Sequence, residues 1–264
     1  RKIYKKLLEW KNECQGKKAL LIEGARRIGK STICEEFGKN EYESYLLIDF
    51  AKKDKEVERY FERYLNDLDT FFMLLQTHFG TKLTERNSLI IFDEVQMFPQ
   101  ARAAIKYLVA DGRYDYIETG SLISIRENVK NIVIPSEERN INMYPLDFEE
   151  FAIALEEDLL VEYIKKCFEK REPLERSMHN QAMLLFHQYM LVGGMPMPVV
   201  SFIEIKKNFT EADKEKRDIL KLYREDIMKI DMRYRSKVLA IYDQIPGFLS
   251  QHEKRVVFKK LQRW

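Results

Sequence analysis

Residues 22–32 read IEGARRIGKST. Gly24 and Gly29 stand five apart, and Lys30 and Ser31 follow the second glycine at once. Glycines let a backbone curl so that several N–H groups point inward, and such a nest at the start of a helix takes up an anion. An ammonium at 30 would then reach the β- and γ-phosphates of a nucleotide. The Ser31 hydroxyl would hold Mg²⁺, and Thr32 would meet the α-phosphate. The candidate phosphate-binding set is Gly24, Ala25, Arg26, Arg27, Ile28, Gly29, Lys30, Ser31 and Thr32. Arg26 and Arg27 lie outside the minimal motif and either face solvent or contact a partner or phosphate.

A second signal lies at 87–96, NSLIIFDEVQ. Four apolar residues, Leu89 to Phe92, run into Asp93 and Glu94, which describes a buried strand with carboxylates at its C-terminal tip. Asp93 is the candidate partner of Ser31 at the metal. Glu94 is a candidate base for the proton of an attacking water. A small-molecule kinase has no need of that second acid, since its substrate brings the nucleophile; an ATPase does. A third strand, around YDYIETGSL at 114–122, ends at Thr119, Gly120 and Ser121, where a hydroxyl can bond a γ-phosphate or a water, or simply form a strand-to-loop turn.

These residues require particular elements beneath them. Ala19–Ile22 is an apolar run long enough for a buried parallel strand, stopped by Gly24, and Ser31–Phe37 reads as the first turns of a helix. Strand, glycine loop and helix form the context that the motif demands. Upstream, Ile3, Leu7, Leu8 and Trp10 recur at helical spacing. After Pro145 helical periods dominate. Residues 147–170 carry an amphipathic pattern with Asp147 and Glu150 placed as a capping box, NQAMLLFHQYMLV is a further helix broken by Gly193-Gly194-Met195-Pro196, and 211–231 reads as a long charged helix.

Composition bounds the function. The chain has 264 residues, 45% hydrophobic and 33% charged, with a formal net charge of +2. That is enough for a sizeable core, and the balance of charge excludes bulk nucleic-acid binding by composition alone. Cys14, Cys34 and Cys167 are scattered and fit free thiols in a reducing cytosol. There is no charged-then-apolar leader and no long apolar run, so neither secretion nor membrane insertion is expected. The chain opens on Arg1 rather than Met, so a few residues are expected upstream. The Asn/Thr-Lys-x-Asp signal of a GTPase is absent, with only KKDK at 52–55, and no nuclease constellation is present.

Gly24–Thr32, Asp49, Asp93-Glu94 and Thr119-Gly120-Ser121 together resemble the ATP-binding module of prokaryotic AAA-type P-loop ATPases. The fit is best to the AAA_14 branch whose ATPase module precedes a nuclease-like domain, the DUF4143-containing ATPases. MYPLDFEEF (143–151), YMLVGGMPMPVV (189–200) and ILKLYREDIMKI (219–230) are similar to later segments of that group. The resemblance implies a five-stranded, mostly parallel sheet flanked by helices, with the ATPase core at 1–145. A helical lid at 146–235 and the start of a truncated winged-helix module at 236–264 would follow. It makes Ser121 or Thr119 the γ-phosphate sensor and Arg139 the nearest match to an arginine finger, although Glu138 stands where the group has glycine. It also implies ATP rather than GTP, Mg²⁺, a cytoplasmic protein, DNA as a partner through the C-terminal module, and a homo-oligomer in which a finger would act in trans. The function expected is Mg²⁺-dependent ATP hydrolysis. The alternative is a nucleotide-gated switch that binds ATP with little turnover, and a small-molecule phosphotransferase is disfavoured by Glu94.

Overall fold

Alternate residues of β1 (Ala19–Gly24) feed two different apolar cores, and this decides the layering. Leu20 and Ile22 join Leu89, Ile91 and Ile117 with the buried side chains of two helices, α1 (Lys2–Cys14) and α2 (Lys30–Glu41). Ala19 and Leu21 join Ile90, Phe92 and Tyr116 on the opposite face, under α3 (Lys55–Tyr64), α4 (Leu68–Phe79) and α5 (Pro99–Asp111). A strand buried on both faces needs no polar alternation, which is why ALLI and SLIIF read as continuous apolar runs. The computed structural model describes residues 1–121 and 137–250.

The sheet has five strands, β1 with β2 (Ser44–Asp49), β3 (Ser88–Asp93), β4 (Asp115–Gly120) and β5 (Glu138–Met143), in the order β2-β3-β4-β1-β5. All four pairings are parallel. The expected α/β P-loop architecture, a mostly parallel five-stranded sheet flanked by helices, is therefore present. The loops after β1, β3 and β4 leave from the same edge, the C-terminal edge at which ligands bind in open α/β sheets. β5 is an edge strand with a polar sequence, ERNINM, of which only Met143 is buried as a whole residue.

Two compact units divide the chain at Pro196/Met197. The first contains the sheet and continues through α6 (Phe148–Ala154), α7 (Asp158–Lys170) and α8 (Arg176–Val192). Asp147 and Glu150 form the expected capping box of α6. The single helix expected over 147–170 is instead two. Glu156 is left-handed at φ 63°, and the Glu157 N–H bonds back to the Ala152 carbonyl at 3.0 Å, which ends α6. Aromatic packing of Phe148 and Phe151 on Tyr189 joins α6 to α8. Arg1 and Lys2 tie α1 to the same helix through Glu150 at 3.0 Å and Asp147 at 2.5 Å.

The second unit holds most of α9 (Pro196–Glu204) and all of α10 (Phe209–Ile227) and α11 (Met232–Leu249). The helix expected over 211–231 stops at Ile227, and Asp231 caps the next by accepting from the Arg233 N–H at 3.0 Å. Tyr242 Oη donates to the Leu220 carbonyl at 3.0 Å and Arg224 pairs with Asp243 at 2.9 Å, holding α11 to α10. Of the segment expected to begin a truncated winged-helix module, 236–264, the first part runs within α11, and residues 251–264 lie outside the described residues. No helix among the described residues is long and apolar enough to cross a membrane.

Candidate nucleotide site

β1 can deliver its loop to the sheet edge only because residue 24 has no side chain. A Cβ on Gly24 would stand 2.5 Å from the Met143 carbonyl oxygen and 2.5 Å from Ile28 Cδ1. The loop then curls through two left-handed residues, Arg27 at φ 67° and Gly29 at φ 88°. Between them Ile28 is fully buried and anchors the loop in the α1/α2 core. Left-handed turns of this kind build anion nests. α2 starts at Lys30, and Gly29 at its N-cap supplies no side-chain bond to the free N–H groups of the first turn. Ala25, Arg27 and Thr32 are exposed, while Arg26 and Ser31 are partly so.

Lys30 is only 5% exposed, and its ammonium donates to the carbonyls of Gly24 at 3.2 Å and Ala25 at 2.9 Å. Burial pushes this ammonium below the ordinary lysine value, and the carboxylates of Glu94 and Asp93 oppose the shift. A second cluster meets the loop from β3. Ser31 Oγ donates to Asp93, with its two carboxylate oxygens 2.7 and 2.9 Å away. Thr119 Oγ1, fully buried at the end of β4, also donates to Asp93, and the backbone N–H of Glu94 donates to that same Thr119 oxygen at 3.3 Å.

Glu94 is left-handed at φ 52°, a conformation that non-glycine residues hold only when the surroundings over-determine it. Its carboxylate accepts from the amide of Gln96, a buried residue on the 3₁₀ turn Val95–Met97. Ser121 follows β4 directly and is half-buried. Asp49, at the tip of β2, lies in register with Asp93 and accepts from the Ala51 N–H at 3.0 Å.

The structure thus gathers the 24–32 loop, Asp93, Glu94 and Thr119 at one edge of the sheet. Arg139 is not among them. It sits near the start of β5 in register with Leu20, four positions from the Gly24–Met143 pair and so ~13 Å along the strand. There it is exposed and paired with Glu13.

Two polar features escaped the sequence. Gln96 is one; its only signal was a polar residue two positions after the acidic pair. The other is a buried cluster beneath the β4 tip. Arg102 of α5 bonds both oxygens of Glu138 at 3.1 Å, and Glu118 of β4 is buried completely beside them. Burial first, then the Glu138 carboxylate, pushes the Glu118 carboxyl well above the ordinary glutamate value, while Arg102 opposes the shift.

Comparison with known proteins finds a family match that spans this edge. The AAA_14 family, described as an AAA domain, matches residues 16–152, which takes in β1 through the start of α6 and every tip residue above. No curated protein matches the chain. Among solved structures it is similar to C. elegans PCH-2, at 11% identity and a TM-score of 0.38, over 81% of this chain and 65% of that one. It is also similar to the Aeropyrum pernix ORC1 protein in complex with DNA, at 9% identity and a TM-score of 0.38, over 98% and 80% of the two chains. A third is the Pyrococcus furiosus Hef helicase domain, at 15% identity and a TM-score of 0.27, over 98% and 66%. The chain spans less than two thirds of the length of the first of these. Because the domain match covers more than half of the 264 residues, and the loop and acidic tip lie inside it, the chain belongs to the AAA domain family.

Proposed function

We propose that this edge of the sheet binds ATP with Mg²⁺ and hydrolyses it. One observation carries the reading: Ser31 and Asp93 meet at hydrogen-bond distance, joining the glycine loop and the acidic strand tip into one site. A hydroxyl and a carboxylate facing each other are hard oxygen donors suited to Mg²⁺, which binds through one or two protein oxygens, water and phosphate rather than through a full protein cage. When bound, Mg²⁺ would neutralise phosphate charge. Lys30 and the loop N–H groups would hold the phosphates, Thr119 or Ser121 would sense the γ-phosphate, and Glu94 would take the proton of the attacking water. Catalysis would rest on positioning and charge complementarity, with residues 1–145 as the core and 146–235 as a helical lid.

The test is Glu94→Gln, with ATP affinity and turnover measured separately. Affinity should persist while turnover falls by about 10²–10⁴, the usual worth of a positioned base. Unchanged turnover would remove Glu94 from the role and the reading with it.

A second reading, a nucleotide-gated switch with little turnover, draws support from Lys30, which is committed to the loop's own carbonyls. Steady-state turnover with and without DNA separates the two. DNA as a partner rests on the family resemblance. A finger role for Arg139 would require a second copy, and turnover per protomer would then rise with protein concentration; a strictly constant value would exclude it.

A further inference from the structure

Gln96 carries its amide on the 3₁₀ turn Val95–Met97, two positions after Glu94. This residue is 6% exposed, yet its Nε2 donates to Oε2 of Glu94, a side chain that lies partly open at the sheet edge. Its neighbours on the 3₁₀ turn are Val95 and Met97, and an apolar residue of the same size would fill the turn without desolvating an amide. The amide therefore reaches a carboxylate of the site.

Glu94 is tethered both at its backbone N–H and at its carboxylate. Its backbone N–H is bonded to Thr119 Oγ1, which fixes the main chain against the residue that also holds Asp93. Its carboxylate is bonded to Gln96, which fixes the far end of an otherwise rotatable side chain. An amide N–H can only donate to a carboxylate. It holds Oε2 as an acceptor and leaves the other oxygen to receive a proton.

We propose that Gln96 is a positioning residue for hydrolysis: it aims the Glu94 carboxylate and dedicates one of its oxygens to the attacking water. This rests on Glu94 being the base. Proton transfer depends on geometry at the scale of an ångström, so a carboxylate released to rotate should lose turnover without losing nucleotide.

The experiment uses Gln96→Met, which preserves length and packing, and Gln96→Glu, which is isosteric but sets a like charge beside Glu94. Both are made alone and in a Glu94→Gln background, with ATP turnover, ATP affinity and thermal unfolding measured on each. Alone, Gln96→Met should lower kcat about 10–100-fold with KM and affinity within about twofold, and Gln96→Glu should lower kcat at least as far. In the Glu94→Gln background neither should lower it further, because a tether has no effect once its carboxylate is gone. The proposal is overturned if Gln96→Met turns over like the wild type, or if it lowers the residual rate by the same factor in both backgrounds. A parallel loss of affinity and melting temperature would overturn it too, since that marks a structural role. If Glu94→Gln alone leaves turnover intact, the base assignment has failed, and that result is read before any Gln96 variant is considered.

Discussion

Ser31 and Asp93 are 62 positions apart in sequence, and the serine hydroxyl lies 2.7 and 2.9 Å from the two oxygens of that aspartate. The contact spans the two motifs and two elements, α2 and β3, that no local rule connects. It also makes a specific demand: a cation that takes its place must satisfy both groups. Ser31→Ala and Asp93→Asn should each reduce ATP affinity in Mg²⁺ by tenfold or more, from the loss of a charge-assisted contact worth about 1.5–3 kcal/mol. Both should leave the weaker, Mg²⁺-free affinity nearly unchanged. Titration calorimetry with and without Mg²⁺ checks this, and equal losses in both conditions would contradict it.

Lys30 predicts an opposition between stability and binding. Its folded value is depressed by burial, so the unfolded chain holds the proton more tightly. The sign follows: Lys30 costs stability at neutral pH, and that cost shrinks as pH rises from the depressed folded value toward the ordinary 10.5. Lys30→Met should melt higher than the wild type at pH 7, with the gap narrowing in alkaline buffer. It should also lose ATP affinity by about tenfold to a hundredfold. Thermal unfolding across pH, with and without ATP, measures both. A lower melting temperature at pH 7 would mean that the ammonium's bonds to Gly24 and Ala25 outweigh its desolvation.

The buried cluster under β4 gives a pH dependence of its own. Burial, and then the Glu138 carboxylate, push the Glu118 carboxyl well above the ordinary 4.5. A carboxyl with a raised folded value contributes its full stability below the unfolded value. That contribution is lost as pH rises toward the folded one. Glu118→Gln keeps the shape and removes the proton, so it should raise the melting temperature by a few degrees at pH 8, with the difference closing as pH falls to 4.5. A difference independent of pH would show that the carboxyl does not titrate in this window. Arg102→Met should act the other way and cost about 3–5 kcal/mol, because it leaves Glu138 buried without its partner.

Much of the site could be read from residues alone, and the reason is local. The glycine loop, the strand before it and the helix after it are contiguous, and the acidic pair closes a run of buried apolar residues. Those signals survive because each lies within one window of sequence. The break between α6 and α7 could not be read, since Glu156 adopts a left-handed turn with no glycine or proline to announce it. β5 could not be read either: as a polar edge strand it lacks the apolar run that marked β1 and β3. Arg102, Glu118 and Glu138 come from three elements and meet only after the sheet is assembled, so no spacing betrays them. Gln96 falls between these cases. It is adjacent to the acidic pair in sequence, but its value lies in a bond that only the fold reveals.

The turn at Gly193-Gly194 gives a last prediction, because the space beside Gly194 is closed. A Cβ there would lie 2.0 Å from the Leu146 carbonyl oxygen, which is main chain and has nowhere to go. Leu146 is pinned twice, by its N–H donating to the Gly194 carbonyl at 2.7 Å and by Tyr189 Oη donating to its own carbonyl at 2.9 Å. Gly194→Ala must therefore pull the segment away and strain or break both bonds. The expected cost is about 1–3 kcal/mol. At ~2–4 °C per kcal/mol for a chain of this size, the melting temperature should fall by several degrees. The turn continues to Pro196, whose Cγ would lie 3.7 Å from a Cβ on Gly29, so a shift of the turn is expected to be felt at the phosphate loop. ATP affinity should weaken with the melting temperature. Wild-type affinity and melting temperature in Gly194→Ala would show that the approach of Gly194 to Leu146 relaxes at no cost and supports nothing at the loop.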